Sequence, residues 1–108
     1  MKVYIAGPYT TGDVVINVRN AIAAGQRVVD AGHTPFVPHL YHLWHHQIPG
    51  DYGQWMRLDL EWLESCDALL RLPGESSGAD REVAHAVGRG IRVFGMWTPL
   101  LKWLKVKP

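Results

Sequence analysis

The sequence predicts an α/β protein: a small doubly wound parallel sheet of flavodoxin-like or Rossmann-like type, with about four strands and helices on both faces. One observation is that short segments rich in β-branched and aromatic residues alternate with segments of helical periodicity. Another is the length of 108 residues, which suits one domain with one core. We therefore expect a single domain over residues 1–108.

Strands and helices are predicted to alternate along the chain. The strands are residues 2–6 (KVYIA), 34–38 (TPFVP), 68–73 (ALLRLP) and 91–96 (IRVFGM). The helices are residues 13–31, 54–66 and 77–89. Residues 39–53 show no clean period and end in turn residues, so we predict an irregular loop with room for one helical turn.

The first strand and the first helix have clear boundary signals. The strand stops at Gly7 and Pro8, while Asp13 can cap the helix and Gly32 suits its end. The apolar residues of the helix recur at helical spacing: Val14, Val15, Val18, Ala21, Ile22, Gly25, Val28 and Val29. Doubly wound folds bind ligands at the carboxyl ends of strands. Attention therefore falls on residues 7–12, the loop after Val37, and residues 73–78.

Composition narrows the partners. A net charge of +1 gives no strong electrostatic case for a nucleic-acid polymer. Cys66 is the only cysteine, so no internal disulfide can form and an intracellular, cytoplasmic location is expected. The N-terminal apolar run is broken too early to be a signal peptide, and none approaches the ~20 residues of a membrane span. We expect no membrane partner.

The start of the third helix carries two acids, Asp80 and Glu82, behind a natural N-cap at Ser76 or Ser77. Gly78 lets a ligand approach the backbone closely. Capping and the helix dipole are enough to explain Asp80. Glu82 differs because it borders the buried stripe on the side of the strand ends, where the dipole should keep it ionised as a nucleophile or base. The stripe consists of Ala79, Val83, Ala86 and Val87.

Asp59 falls inside the apolar face of the second helix. That face collects Trp55, Leu58, Trp62, Leu63 and Cys66. A carboxylate there must be paired, hydrogen-bonded or exposed to a pocket, because burying it bare costs several kcal/mol. Two interpretations remain open: an aspartate that organises a loop, or a general acid whose pKa is raised by desolvation. Two acids aimed at the strand ends would suit cleavage of a glycosidic bond, including an N-glycosidic bond to a base.

Four histidines, His39, His42, His45 and His46, lie close together with Tyr41 and Trp44. The spacing of His42 and His46 could hold a metal, but no third ligand is evident and we predict no metal and no cofactor. The segment is better explained as a cap over an aromatic ligand or as an oligomer contact. The loop GPYTTG is either a tight turn or, with the side chains of Tyr4 and Tyr9, a contact for a sugar or base.

Three blocks of the sequence resemble the nucleoside 2-deoxyribosyltransferase-like superfamily. They are VYIAGPYT, RLDLEWLESCDALL and SSGADREVAHAVGRG, in the family's order. This group includes nucleoside deoxyribosyltransferases and deoxynucleoside 5'-monophosphate N-glycosidases, and small bacterial and phage-type members also belong to it. The resemblance implies a doubly wound domain, usually a dimer or larger, in which neighbouring subunits complete each site.

The resemblance also implies roles for individual residues. Glu82 would be the nucleophile, and Asp59 would hold the sugar or assist protonation of the departing base. The residues implied in substrate binding are Tyr4, Gly7, Pro8, Tyr9, Ser76 and Gly78, with Ser76 placed for a 5'-phosphate. The phosphate-cleaving members carry a serine and an arginine in the first loop, where this chain has Pro8 and Thr10.

Together these features predict cleavage, by hydrolysis or transfer, of the N-glycosidic bond of a (deoxy)nucleoside or its 5'-monophosphate. One alternative is a catalytically silent nucleotide-binding or regulatory module. Another is a phosphoribohydrolase acting on ribonucleotides. The C-terminal tail carries many apolar side chains, which we interpret as an interface, and we therefore expect a homodimer or larger homo-oligomer. They are Trp97, Leu100, Leu101, Trp103 and Leu104.

Overall fold

The computed structural model describes residues 1–106. The strands are β1 (Lys2–Ala6), β2 (Thr34–Phe36), β3 (Ala68–Arg71) and β4 (Arg92–Phe94). The helices are α1 (Val14–Asp30), α2 (Tyr41–Gln47), α3 (Tyr52–Leu63), α4 (Ser77–Gly88) and α5 (Trp97–Val106), and a 3-10 turn (Pro38–Leu40) precedes α2. No helix among these residues is long and apolar enough to cross a bilayer.

The four strands form one parallel sheet in the order β2-β1-β3-β4. The central strand β1 pairs with β2 on one side, where Val3 faces Pro35, and with β3 on the other, where Val3 faces Ala68. The chain therefore winds outward from β1 to β2, then crosses back to β3 and continues to β4. The strand order reverses between β1 and β3, which is where folds of this class bind ligands. The predicted fold class is confirmed.

Helices cover both faces of the sheet, so two cores form. On one face α1 and α5 pack against the strands, with the core residues Val3, Ile5, Ala21, Ala24, Val28, Ala68, Leu70, Phe94, Leu100 and Leu104. On the other face α3 and α4 pack against the strands, with the core residues Tyr4, Ala6, Leu63, Cys66, Leu69, Ala79 and Ala86. The second face carries the acids.

Helix α1 confirms the predicted cap, since the Asp13 carboxylate accepts a hydrogen bond from the Ile16 amide at 3.2 Å. Its buried stripe is narrower than predicted. The residues buried are Ala21, Ala24, Gly25 and Val28, whereas Val15, Ile22 and Val29 are exposed. Small residues let the helix lie close to the sheet, and a Cβ on Gly25 would come within 2.8 Å of a Val37 methyl.

The prediction of an irregular loop over residues 39–53 is wrong. This segment contains most of the 3-10 turn, all of α2 and the first two residues of α3, which starts at Tyr52 with Asp51 as its cap. A hydrophobic period appears only when a helix buries one apolar face. Helix α2 has no buried residue and is held by aromatic contacts such as that of Tyr41 with Trp55 at 5.4 Å, so its sequence shows no stripe.

The interpretation of the C-terminal tail as an interface loses its basis. The tail forms α5, whose Leu100 and Leu104 are 0% and 2% exposed within the chain's own core. Pro99 lies in the first turn of α5, where a missing amide donor breaks no helical hydrogen bond. The apolar side chains of the tail therefore complete this chain's fold, and homo-oligomerisation stays a prediction from the resemblance.

Candidate active site

A cleft of about 320 Å³ opens beside the carboxyl ends of the central strands. Its walls come from the loop after β1, from the 3-10 turn with α2, from the first half of α3 and from the first turns of α4. The volume lies within the ~300–1,000 Å³ typical of small-molecule sites. Each of the three segments that follow a strand end contributes residues to this cleft. They are residues 7–12, the loop after Val37, and residues 73–78.

Two acids from different helices meet in this cleft. Asp59 comes from α3 and Glu82 from α4, and their carboxyl groups are within hydrogen-bonding contact of each other. The hydroxyl of Tyr4, on β1, donates a hydrogen bond to Oε2 of Glu82 from beneath. Tyr4 is fully buried and Glu82 is 5% exposed. The fold thus brings together, in one cleft, the two carboxylates that the sequence places at or beside an apolar helix face.

Burial controls how this acid pair ionises. Burial raises the pKa of Glu82 to about 7, against the opposing effects of the Tyr4 hydrogen bond, the Arg71 charge and the hydrogen bond with Asp59. Burial raises the pKa of Asp59 to about 8, and the negative charge of Glu82 and the hydrogen bond with it add to the effect. Desolvation therefore outweighs the helix dipole that was expected to keep Glu82 ionised, and the carboxyl loses its proton only near neutral pH. The raised pKa expected of Asp59 is confirmed.

Between pH 7 and pH 8 the pair holds about one proton, on Asp59 in preference to Glu82. One group is then an acid able to donate, and its neighbour is a carboxylate able to attack or to stabilise positive charge. Groups whose environments separate their pKa values in this way are suited to paired acid and base or nucleophile roles.

The start of α4 lies at the cleft as predicted. Ser76 is the N-cap, because its Oγ accepts a hydrogen bond from the Ala79 amide at 3.0 Å. Ser76, Ser77 and Gly78 all line the cleft. Asp80 is exposed outside it and pairs with Arg71 at 3.1 Å, in keeping with its simpler interpretation.

The loop after β1 contributes only part of what was predicted. Gly7 and Tyr9 line the cleft. Tyr4 lies beneath Glu82, and Pro8 is not part of the wall: its ring packs near Gly74, where a Cβ would come within 2.8 Å of it. Pro8 therefore acts on the cleft through its backbone carbonyl, which accepts a hydrogen bond from the His39 ring.

One wall of the cleft is aromatic and rich in histidine, and the sequence predicted only part of it. His39, Tyr41, His42 and His45 line the cleft, whereas Trp44 is about half exposed outside it. This position favours the cap over an aromatic ligand among the two interpretations of the segment. Hydrogen bonds brace the wall: Tyr9 to His42 at 2.6 Å and the Trp55 indole N–H to His45 Nδ1 at 3.0 Å.

Three cleft residues of α3 were missed. They are Tyr52, Trp55 and Met56. A usable signal was present, since Tyr52, Met56 and Asp59 are spaced i, i+4, i+7 and so share a helix face. The start of α3 at residue 52 was not predicted, so that spacing was not recognised.

In the described part of the chain, no group of three or more His, Cys, Asp or Glu side chains is placed to hold a metal ion. Residues 1–106 contain two buried side-chain polar atoms with no hydrogen-bond partner, His39 Nδ1 and Asp59 Oδ1. Both residues line the cleft. Buried polar atoms are nearly always paired in native proteins, so these two atoms mark positions beside the cleft that a ligand or a water molecule can satisfy.

The fold is shared with a solved 2-deoxyribosyltransferase from the psychrotolerant bacterium Bacillus psychrosaccharolyticus. The TM-score is 0.64 at 21% sequence identity, over 90% of this chain and 76% of that chain. At this identity the similarity establishes the fold. A search of curated proteins found no match.

A family model covers most of the chain. The family is described as a domain of unknown function, DUF7768, and its model matches residues 1–95. That span contains the four strands, the acid pair and every residue of the cleft. The chain therefore belongs to the DUF7768 family.

Proposed function

We propose that this protein cleaves the N-glycosidic bond of a nucleoside, with Glu82 as the nucleophile and Asp59 as its partner acid. The observation that carries the proposal is the Asp59–Glu82 pair in a cleft that aromatic rings also line. A sugar beside the acids and a base against the rings would suit such a cleft. The shared fold with a 2-deoxyribosyltransferase supports the same substrate class.

In the first step a carboxylate oxygen of Glu82 bonds to the anomeric carbon while the bond from that carbon to the base nitrogen breaks. The bonding electrons leave with the base, which takes up a proton. Asp59 is the proton donor because its pKa of about 8 leaves it protonated near neutral pH. The product of this step is a glycosyl ester on Glu82 and a free, neutral base.

In the second step water or another base attacks the anomeric carbon, and the ester bond breaks to regenerate the Glu82 carboxylate. Asp59, now ionised, accepts the proton that the attacking group loses. The Tyr4 hydroxyl holds Oε2 of Glu82 throughout and stabilises its negative charge. Water gives hydrolysis, and a second base gives transfer.

The cleft favours a substrate without a 5'-phosphate. None of the residues that line it is a lysine or an arginine. The loop after β1 offers Thr10 and Thr11 to the cleft. An ionised phosphate would meet only the serines and amides at the start of α4, together with the wall histidines. We therefore propose deoxynucleosides ahead of their 5'-monophosphates.

The test is incubation with a panel of ribonucleosides, deoxynucleosides and their 5'-monophosphates, with and without a free acceptor base, followed by chromatography. We expect base release from at least one deoxynucleoside. Release from its 5'-monophosphate should be at least ~10-fold slower, because the cleft lacks the charged hydrogen bonds to the phosphate, worth about 1.5–3 kcal/mol, that would offset the loss of its hydration. A new nucleoside formed with the added base would show transfer.

The other outcomes discriminate among the alternatives. Binding by calorimetry with no base released by any compound would contradict an enzyme and support a silent binding module. Release confined to ribonucleoside monophosphates would instead support a phosphoribohydrolase.

A further inference from the structure

His39 is a buried histidine in the wall of the cleft, 5% exposed, and it lies in the 3-10 turn that follows β2. Its Nε2 lies 2.9 Å from the carbonyl oxygen of Pro8. Its other ring nitrogen, Nδ1, is buried and has no hydrogen-bond partner among residues 1–106. The mechanism proposed above makes no use of this atom.

The Pro8 carbonyl fixes which nitrogen of His39 carries the proton. A carbonyl oxygen can only accept, so Nε2 must be the N–H donor. Burial lowers the pKa of His39, against the opposing effect of the Pro8 and Gly7 carbonyls, and so keeps the ring neutral. A neutral imidazole has one N–H. Nδ1 is therefore a bare lone pair that can only accept a hydrogen bond.

We propose that Nδ1 of His39 accepts a hydrogen bond from an N–H of the base of a bound nucleoside, which makes His39 a determinant of base specificity. This inference rests on the proposed function. An unpaired buried acceptor costs free energy that a matching donor recovers, and the base of a bound nucleoside can supply that donor. An ionised phosphate is excluded as the partner, because it carries no donor.

The surroundings of His39 favour a base over a sugar hydroxyl. Tyr9 stands edge-on to its ring at 6.2 Å between centroids. Tyr41 and Trp55 also line the cleft and are in ring contact, with 5.4 Å between their centroids. Flat aromatic walls bind bases, and an acceptor within such a wall can read the edge of the base.

Nδ1 is also screened from solvent. A donor therefore reaches it only after side chains of the wall move aside. The contacts that hold α2 are suited to such movement, because the helix buries none of its own residues. We expect nucleoside binding to shift this wall, whose Trp55 is in ring contact with the half-exposed Trp44 at 5.5 Å between centroids.

Two variants separate the two nitrogens of His39. In His39→Gln the amide N–H₂ stands near the position of Nε2, so the donor to Pro8 is kept and the Nδ1 acceptor is lost. In His39→Asn the amide oxygen stands near the position of Nδ1, so the acceptor is kept and the donor to Pro8 is lost. His39→Gln tests the inference, and His39→Asn is its matched control.

The probes are deoxynucleoside pairs that differ by one N–H-bearing group of the base. Affinity is measured by calorimetry on proteins that also carry Glu82→Gln, so that no probe is cleaved, and wild type here means that His39 is retained. They are 2'-deoxyadenosine with purine 2'-deoxyriboside, 2'-deoxyguanosine with 2'-deoxyinosine, and thymidine with its N3-methyl derivative. For one pair we expect loss of the N–H to weaken binding to the wild type about 3- to 10-fold. His39→Gln should bind the nucleoside that carries this N–H as weakly as the analogue that lacks it. His39→Asn should keep the difference in affinity between the two.

Equal discrimination by wild type and His39→Gln for every pair would overturn the inference. A sugar hydroxyl as the donor would also overturn it. In that case His39→Gln would remove the difference in affinity between 2'-deoxyadenosine and 2',3'-dideoxyadenosine or 2',5'-dideoxyadenosine, and it would leave the differences within the base-modified pairs unchanged. If no nucleoside binds the wild type, the proposed function itself fails. Because binding is measured without turnover, a failure of the proposed function can be told apart from a failure of the inference about His39.

Discussion

Replacing Glu82 with glutamine is expected to lower the rate of base release by at least ~1,000-fold, because an amide cannot form the glycosyl ester. The variant should fold normally. The glutamine carbonyl can still accept the Tyr4 hydrogen bond, and its N–H₂ can donate to Asp59. The measurement is single-turnover base release followed by chromatography, beside thermal unfolding of the same sample.

The matched control is Glu75→Gln, which removes the same carboxylate seven residues earlier. Glu75 is exposed and does not line the cleft, so its substitution should leave turnover within about 2-fold of the wild type. Full turnover in Glu82→Gln on every cleaved nucleoside would refute the role of Glu82.

The acid pair is expected to make the protein less stable as the pH rises. Both carboxyls have folded-state pKa values above their ordinary ones, about 8 against 3.8 for Asp59 and about 7 against 4.5 for Glu82. The folded state therefore binds more protons than the unfolded state between pH 4 and pH 8. The free energy of unfolding must fall with rising pH across that window, and the pair accounts for several kcal/mol of the fall.

The combined variant Asp59→Asn with Glu82→Gln isolates this effect, since neither amide titrates. Urea titration gives the free energy of unfolding of the combined variant and of the wild type at each pH. The variant's value minus the wild-type value should be smallest below pH 5 and should grow by several kcal/mol towards pH 8.5. Glu75→Gln should show no such trend. A difference between wild type and combined variant that does not change with pH would show that the pair is not buried together.

Sequence reasoning succeeded where a buried stripe makes the pattern visible. The run in β1 is apolar because it is covered on both faces, and the alternation with helices predicts a parallel sheet. Asp59 and Glu82 could be singled out because each stands at or beside an apolar helix face, where a carboxylate is costly. Their meeting in one cleft follows from the strand order, which the sequence does not state.

The aromatic wall was beyond the sequence for a physical reason. Helix α2 lies over the cleft and is held by ring contacts, so no hydrophobic period marks it. The raised pKa of Glu82 was also beyond the sequence, because burial of this carboxyl depends on what α3 and β1 place against it. The tail was misinterpreted for the opposite reason: Leu100 and Leu104 looked unpartnered until α5 was seen against the sheet.

The covalent step is the central claim, and one measurement tests it most directly. The protein is mixed with a deoxynucleoside that it cleaves, quenched in acid during the first turnover, digested and analysed by mass spectrometry. We expect a deoxyribosyl ester on the peptide that contains Glu82, formed as fast as the base is released. Base released in the first turnover with that peptide unmodified, or modified at another residue, would contradict a Glu82 nucleophile.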